Sequence, residues 1–137
     1  MDKTNKRNLL SLIEKEKRKI QINTARLFEA VKCGHIYSAL SSLNNGAEVN
    51  KRGVCKRTPL HWAAQNNYFT LSRILIDRGA DIETKDGLGY TPLHYAVMTN
   101  KINLFTFLLK NGAKISTLSQ DKWLKEKAQQ LKDNHGK

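Results

Sequence analysis

The sequence predicts an all-α fold, a solenoid of stacked helix–turn–helix units. Three observations carry that expectation. Thr58-Pro59-Leu60-His61-Trp62-Ala63-Ala64 returns 33 residues later as Thr91-Pro92-Leu93-His94-Tyr95-Ala96-Val97. The echo continues downstream, with Leu71 returning as Leu104, Leu75 as Leu108, Gly79-Ala80 as Gly112-Ala113 and Ile82 as Ile115. Counting back by the same step, Leu27, Ala30, Leu43 and Gly46-Ala47 belong to an earlier copy. A fixed period of this length marks units that cannot bury their apolar face alone and gain a core by stacking.

Each element follows from local chemistry. Residues 6 to 20 read as a helix with Leu9, Leu12, Ile13 and Ile20 on one side and Leu10 at its edge, while Arg7, Glu14, Lys15 and Arg18 face elsewhere. Glu16 interrupts the apolar side. Two roles stay open for this helix. It is either a cap covering the first repeat, which a solenoid end needs for solubility, or a basic amphipathic arm for a membrane surface or nucleic acid; the cap is the favoured reading. Asn23 or Thr24 can then cap a helix running through residues 26 to 31. A second helix runs from about His35 to Leu43 and stops at Asn44-Asn45-Gly46. Ser41 and Ser42 stand where the next copy has Ile74 and Leu75, so this helix is expected to pack less strongly.

In the second copy Thr58 is placed as an N-cap, and Pro59 follows at the position where a missing N–H sacrifices no intrahelical bond. His61, three residues after the cap, can reach back to Thr58 as a capping-box side chain does. Leu71, Ile74 and Leu75 form the apolar stripe of the next helix, each contributing about 1.5–3 kcal/mol on burial. Gly79 ends that helix in the left-handed conformation. The third copy opens on the turn signal of Asp86-Gly87-Leu88-Gly89-Tyr90 and runs through Leu104, Phe107, Leu108 and Leu109 to Asn111-Gly112. After Ile115 the spelling frays, and Leu124-Lys125-Glu126-Lys127 occupies the Thr-Pro-Leu-His position. Trp123, Leu124, Ala128 and Leu131 on one stripe predict a closing helix, and His135-Gly136-Lys137 a frayed tail.

Thr-Pro-Leu-His-x-Ala on a 33-residue period is the signature of the ankyrin repeat, and this chain resembles an ankyrin-repeat protein from about residue 22 to 118. Leu27-Phe28-Glu29-Ala30-Val31-Lys32, followed by Gly34, resembles the opening of a first ankyrin repeat. The resemblance implies helix pairs joined by short β-hairpin loops. It divides the chain into a basic N-terminal helix or cap over 1–21, three repeats over 22–118 (about 22–54, 55–87 and 88–118), and a C-terminal capping helix and tail over 119–137. Thr58, Pro59, Leu60, His61, Gly79, Thr91, Pro92, Leu93, His94 and Gly112 are then structural residues of the repeat.

Lys and Arg number 24 against 12 acidic residues, a net charge of +12. That balance favours acidic partners: a protein surface, nucleic acid or anionic lipid. Cys33 and Cys55 fit neither a disulfide framework nor a zinc spacing and read as reduced thiols of a cytosol-like compartment. No apolar run approaches the ~20 residues of a membrane span, and Leu9 to Ile13 is too short for a signal core. A cytoplasmic protein is expected, or one secreted into a host cytosol without a cleaved signal peptide.

His61 and His94 are the obvious catalytic candidates, but their spacing gives each the same structural place in its repeat. No metalloprotease, nucleophile-elbow or phosphate-loop spelling occurs. Asp77, Asp81, Glu83 and Asp86 are spread over a helix end and a hairpin and read as solvated charges. The expectation is a non-enzyme with no catalytic, metal or cofactor site.

What remains is a binding surface. The resemblance implies that partners lie against the hairpin tips and the exposed side of the first helices, a concave face. Among the positions carried over from it are Val54, Cys55, Arg57, Gln65, Asn66, Leu88, Tyr90, Met98 and Thr99, and the charge run at the first tip adds Lys51, Arg52 and Lys56. The first hairpin departs from the family pattern, with Gly53-Val54-Cys55-Lys56 where Asp-x-x-Gly is expected. Lys51, Arg52, Lys56 and Arg57 crowd that tip, and no acid lies between Glu48 and Asp77. The sequence therefore points to a scaffold, monomeric alone, whose concave face and basic tips bind a protein with an acidic patch. Binding of nucleic acid or another anionic surface through net charge is the alternative. Ankyrin proteins are also familiar as host-directed effectors of intracellular bacteria, a setting with which the Lys- and Asn-rich composition is compatible.

Overall fold

The chain contains no glycine or proline before Gly34, so nothing in its first 33 residues stops a helix once one has begun. In the computed structural model, which describes residues 2–135, helix α1 accordingly runs unbroken from Lys3 to Cys33. Gly34 ends it in the left-handed conformation (φ 76°), and His35 N–H closes the cap on the Ala30 carbonyl at 2.8 Å. Helix α2 follows at Ile36–Asn44.

Two readings of this region change. Asn23 and Thr24 do not cap a helix start; both are buried in mid-helix. They fasten the chain beyond α2 instead: Asn23 Nδ2 donates to the Asn45 carbonyl at 3.0 Å, and Thr24 Oγ1 accepts the Glu48 N–H at 2.9 Å. Their polar side chains look like caps in sequence, but without a breaker upstream the helix simply passes through them. Residues 2 to 19 are exposed throughout, so the leading half of α1 extends as a bare helix and does not fold back as a separate one.

The chain divides into two compact units, Met1–Glu48 and Val49–Lys137. In the first, α1 and α2 pack as a pair, with Leu27, Val31 and Ala39 fully buried. The second contains helices α3 (Pro59–Gln65), α4 (Phe69–Asp77), α5 (Pro92–Met98), α6 (Ile102–Lys110) and α7 (Lys122–His135). A 3-10 turn at Val54–Lys56 precedes α3, and another at Ile115–Leu118 precedes α7. Among the described residues there is no strand, and no helix is long and apolar enough to cross a membrane. The connections between helix pairs are hairpin-shaped, each closed across its base by a bond between main chains: Gly53 N–H to the Arg57 carbonyl at 2.8 Å, and Asp86 N–H to the Tyr90 carbonyl at 2.9 Å.

The core of the second unit is the strip that the period implies. Ala64, Leu93, Ala96, Val97, Leu104, Phe105 and Leu108 form one buried cluster, and α3 packs on both α4 and α5. Small residues at 63, 64 and 96 let these short helices approach closely, since each alanine buries its methyl group without holding the backbones apart. Leu118, Leu124, Ala128 and Leu131 join the same cluster, so α7 closes the third repeat against α5 and α6. Trp123 leaves the expected stripe. It is 56% exposed, because it lies about 100° around the helix from Leu124, and the Lys127 ammonium sits 4.9 Å from its ring. Helix α7 continues to His135; the tail expected at Gly136 and Lys137 lies outside the described residues.

Leu75 is fully buried on α4. Leu75→Ala is expected to lower stability by about 2–5 kcal/mol through the cavity it leaves, read as a fall in the denaturant midpoint. A change below about 1 kcal/mol would show that the stripe does not sit where the repeat register puts it.

Candidate protein-interaction surface

The surface is built from the caps outward. Thr58 and Thr91 are N-caps of α3 and α5 with Pro59 and Pro92 behind them. In each repeat the histidine three residues on turns its ring back: His61 Nδ1 accepts the Thr58 N–H at 3.0 Å, and His94 Nδ1 accepts the Thr91 N–H at 2.9 Å. With Nδ1 an acceptor, the proton of neutral His61 resides on Nε2, which donates to the Tyr90 carbonyl at 2.9 Å. One imidazole thus caps its own helix and holds the base of the next hairpin. Burial is the main cause that pushes both His61 and His94 below the usual imidazole range. Both nitrogens of His61 are engaged with backbone and Nδ1 of His94 is engaged in the same way, which makes the rings structural groups, and Leu60 and Leu93 beside them are fully buried. Gly79 and Gly112 take φ of 90° and 100° after α4 and α6.

The two hairpin tips are tied together. Gly87 N–H donates to the Cys55 carbonyl at 2.7 Å, and a Cβ on residue 87 would stand 3.0 Å from that oxygen, a tight contact that a glycine avoids. Arg52 Nη2 donates to the Lys85 carbonyl at 2.6 Å, and its Nε to the Lys56 carbonyl at 3.3 Å. The second tip is an Asx turn in which Asp86 Oδ1 accepts the Leu88 and Tyr90 N–H groups, each at 2.9 Å. The first tip has Gly53 in place of that aspartate and Lys56 in place of Gly89. It turns through two left-handed non-glycine residues, Cys55 (φ 55°) and Lys56 (φ 57°), a conformation that costs about 1–2 kcal/mol per residue.

Asp86 is not the solvated charge that the sequence suggests, because its side chain is almost wholly buried. Tyr95 Oη donates to its Oδ2, and Arg57 Nε lies 3.8 Å from the same oxygen. Burial alone would raise the Asp86 pKa. The hydroxyl of Tyr95 and the N–H groups of Tyr90 and Leu88 outweigh it and hold the carboxyl below its usual range. Burial and the bond to Asp86 push Tyr95 up to about 12. The Arg57 guanidinium is held between two rings, 4.4 Å from Trp62 and 4.6 Å from Tyr95. Trp62 and Tyr95 are one period apart, so Arg57 is clamped by equivalent aromatic positions of adjacent repeats and neutralised by the second tip.

The twelve residues selected from the sequence therefore separate. Val54 and Leu88 are 72% and 74% exposed, one on each of the tied tips. Lys51, Cys55, Lys56, Gln65 and Asn66 are exposed as well, with Asn66 Nδ2 engaging the Trp62 carbonyl at 3.0 Å. Arg52 is exposed but committed to the two carbonyls above. Arg57 is turned inward. Tyr90 is half-buried and stacks on His94 at 5.0 Å; Met98 is half-buried, and so is Thr99, which donates to the Tyr95 carbonyl at 2.8 Å.

Sequence reasoning passed over a second series of ties. Asn50 donates to the Gly79 carbonyl at 3.0 Å and accepts the Asp81 N–H at 2.7 Å. One period on, Glu83 Oε1 accepts the Lys114 N–H at 3.1 Å. The signal was the same counting by 33 that found the helices, applied to polar residues. Among the described residues no group of three or more His, Cys, Asp or Glu side chains is gathered where a metal ion could be held.

The family profile described as "Ankyrin repeats (3 copies)" matches residues 27–119, about two thirds of the chain. The chain belongs to the ankyrin-repeat family. A curated relative, acyl-CoA-binding domain-containing protein 2 of Arabidopsis thaliana, is 30% identical over 68 residues, a stretch covering 50% of this chain and 19% of that protein. The chain thus spans less than a fifth of that relative's length. Ankyrin repeats are in general protein–protein interaction modules.

Two measurements check the geometry of the tips. Arg57→Ala should cost about 3 kcal/mol or more, since it leaves the buried Asp86 charge without its cation, whereas Lys56→Ala, one residue away and exposed, should change stability little; equal effects would contradict the clamp. The pH dependence of melting follows from the lowered imidazoles. The folded state binds fewer protons than the unfolded state below the ordinary histidine pKa of about 6.5. Stability should therefore be complete above that value and fall as pH drops through the lowered folded values, with a shallower fall in His61→Gln.

Proposed function

We propose that the tied tips, with the neighbouring exposed ends of α3 and α5, bind a protein whose surface carries an acidic patch around an apolar spot. One observation carries this reading. Val54 and Leu88 project from two tips joined main chain to main chain, and Lys51, Arg52 and Lys56 surround them on the first tip. An apolar centre with a charged rim is the composition of protein interfaces. The cations steer an acidic partner and set its register, and the desolvated aliphatic pair supplies residence time. Because the tips are already fixed by hydrogen bonds, little conformational entropy is lost on docking.

The same detail weighs against nucleic acid as the ligand. Both arginines of the first tip are engaged within the protein, which leaves lysines as point charges and removes the bidentate groups that read bases.

The partner is to be captured by affinity purification and mass spectrometry, and its binding then measured with purified proteins. Lys51→Glu with Lys56→Glu should leave melting unchanged and weaken binding by about tenfold or more, chiefly through a slower association rate. Leu88→Ser with Val54→Ser should act chiefly on dissociation. Wild-type binding by both variants would remove the tips from the interface. A titration against DNA and RNA completes the test. Neutralising six or more phosphates would cost about 10³-fold in affinity between roughly 50 and 200 mM salt, and a fall of that size would transfer the surface to nucleic acid.

A further inference from the structure

Helix α1 carries one apolar face along its whole length, and only its second half is used within its unit. Leu9, Ile13, Ile20 and Leu27 follow one another at spacings of four and seven, the interval that keeps side chains on one seam. Leu27 is fully buried. Further forward the seam is bare: Leu9 and Ile13 are 48% and 42% exposed, and Leu10 and Leu12 on either side of them exceed half. A free-standing helical stretch of this length is marginal in water, so a partner along this face would stabilise it.

The charges on the seam say which partner. Extending the pattern places Lys6 one step before Leu9 and Glu16 one step after Ile13. Both are exposed. In an antiparallel pair of two such helices, the layers run Lys6 against Glu16, Leu9 against Ile13, Ile13 against Leu9, and Glu16 against Lys6. Leu10 meets Leu10 and Leu12 meets Leu12 along the flanks. Eight aliphatic side chains are enclosed, and each end is closed by an opposite-charge pair. A parallel pair would set Glu16 against Glu16 and Lys6 against Lys6. An anionic lipid surface would have to accept the Glu16 carboxylate in the middle of the inserted face. Of these arrangements, the antiparallel copy matches Lys6, Leu9, Ile13 and Glu16 together.

We propose that the exposed half of α1 is a self-association seam, on which a second copy of this chain lies antiparallel through Leu9, Ile13 and their neighbours, with Lys6 and Glu16 fixing the register. This departs from the monomer that the sequence suggests. The hairpin tips belong to the other unit and supply no residue to the seam, so the assembly carries two copies of them. The seam spans only about three helical turns, which makes a reversible dimer the expected strength.

The test is sedimentation of the full chain over a concentration series, with a charge-swap cycle at the two exposed positions. Wild type should pass from monomer to dimer with rising concentration. Lys6→Glu and Glu16→Lys should each weaken the dimer by about tenfold or more, because either change opposes like charges in two layers. The double variant Lys6→Glu with Glu16→Lys should return to near wild-type affinity. Folding is followed by melting of each variant. A wild type that stays monomeric at every concentration overturns the proposal, as does a double variant no better than the singles. Cosedimentation of a monomeric chain with phosphatidylserine vesicles, strengthened by Glu16→Lys, would assign the face to lipid and overturn it also.

Discussion

The imidazole of His61 is the joint on which the second unit depends. Its Nδ1 completes the cap of α3 and its Nε2 holds the carbonyl of Tyr90 in the following hairpin, so one neutral ring pairs the buried Thr58 N–H and adds a second bond to a carbonyl that already accepts the Asp86 N–H. The price of a missing bond inside the stack, about 1–3 kcal/mol, is large against the net stability of a domain this size. Because the bond to Tyr90 crosses from one repeat to the next, it also fixes the spacing of the two tips. The placement of the tips is consequently set by a buried hydrogen bond as well as by the loops themselves.

How much of this is legible in sequence depends on whether a residue acts within its period or against it. The helix starts at Pro59 and Pro92, the stops at Gly79 and Gly112 and the stripes through Leu75 and Leu108 are local chemistry repeated, and the structure places them as the repeat predicts. The length of α1 was hidden because Asn23 and Thr24 have the composition of a cap, and only the lack of any glycine or proline upstream reveals that the helix has no reason to end there. Arg57 was hidden for another reason. Its partners, Trp62, Tyr95 and Asp86, come from two repeats, and a run of cations at a hairpin tip reads as one solvated patch until the stacking brings an aspartate beneath one member of it. Asp86 was misread by the same route, since burial of a carboxylate is a property of the assembled pair of tips.

The first tip shows what the chain gains from departing from the repeat spelling. An aspartate at Gly53 and a glycine at Lys56 would restore the turn that Asp86 and Gly89 make one period later, and would relieve two left-handed residues. The departures exchange that local stability for a different outward chemistry. Position 54 carries an exposed valine where the next tip has Gly87 beneath its neighbour, position 56 carries a lysine, and position 57 carries the arginine that neutralises Asp86. The strained turn is held from outside itself, by Arg52 on the Lys85 carbonyl and by the Cys55 carbonyl on Gly87. Strain that persists only because neighbouring structure enforces it is characteristic of surfaces shaped for contact. A substitution that regularised this tip would therefore be expected to stabilise the fold while erasing the feature that distinguishes it from the tip of the following repeat.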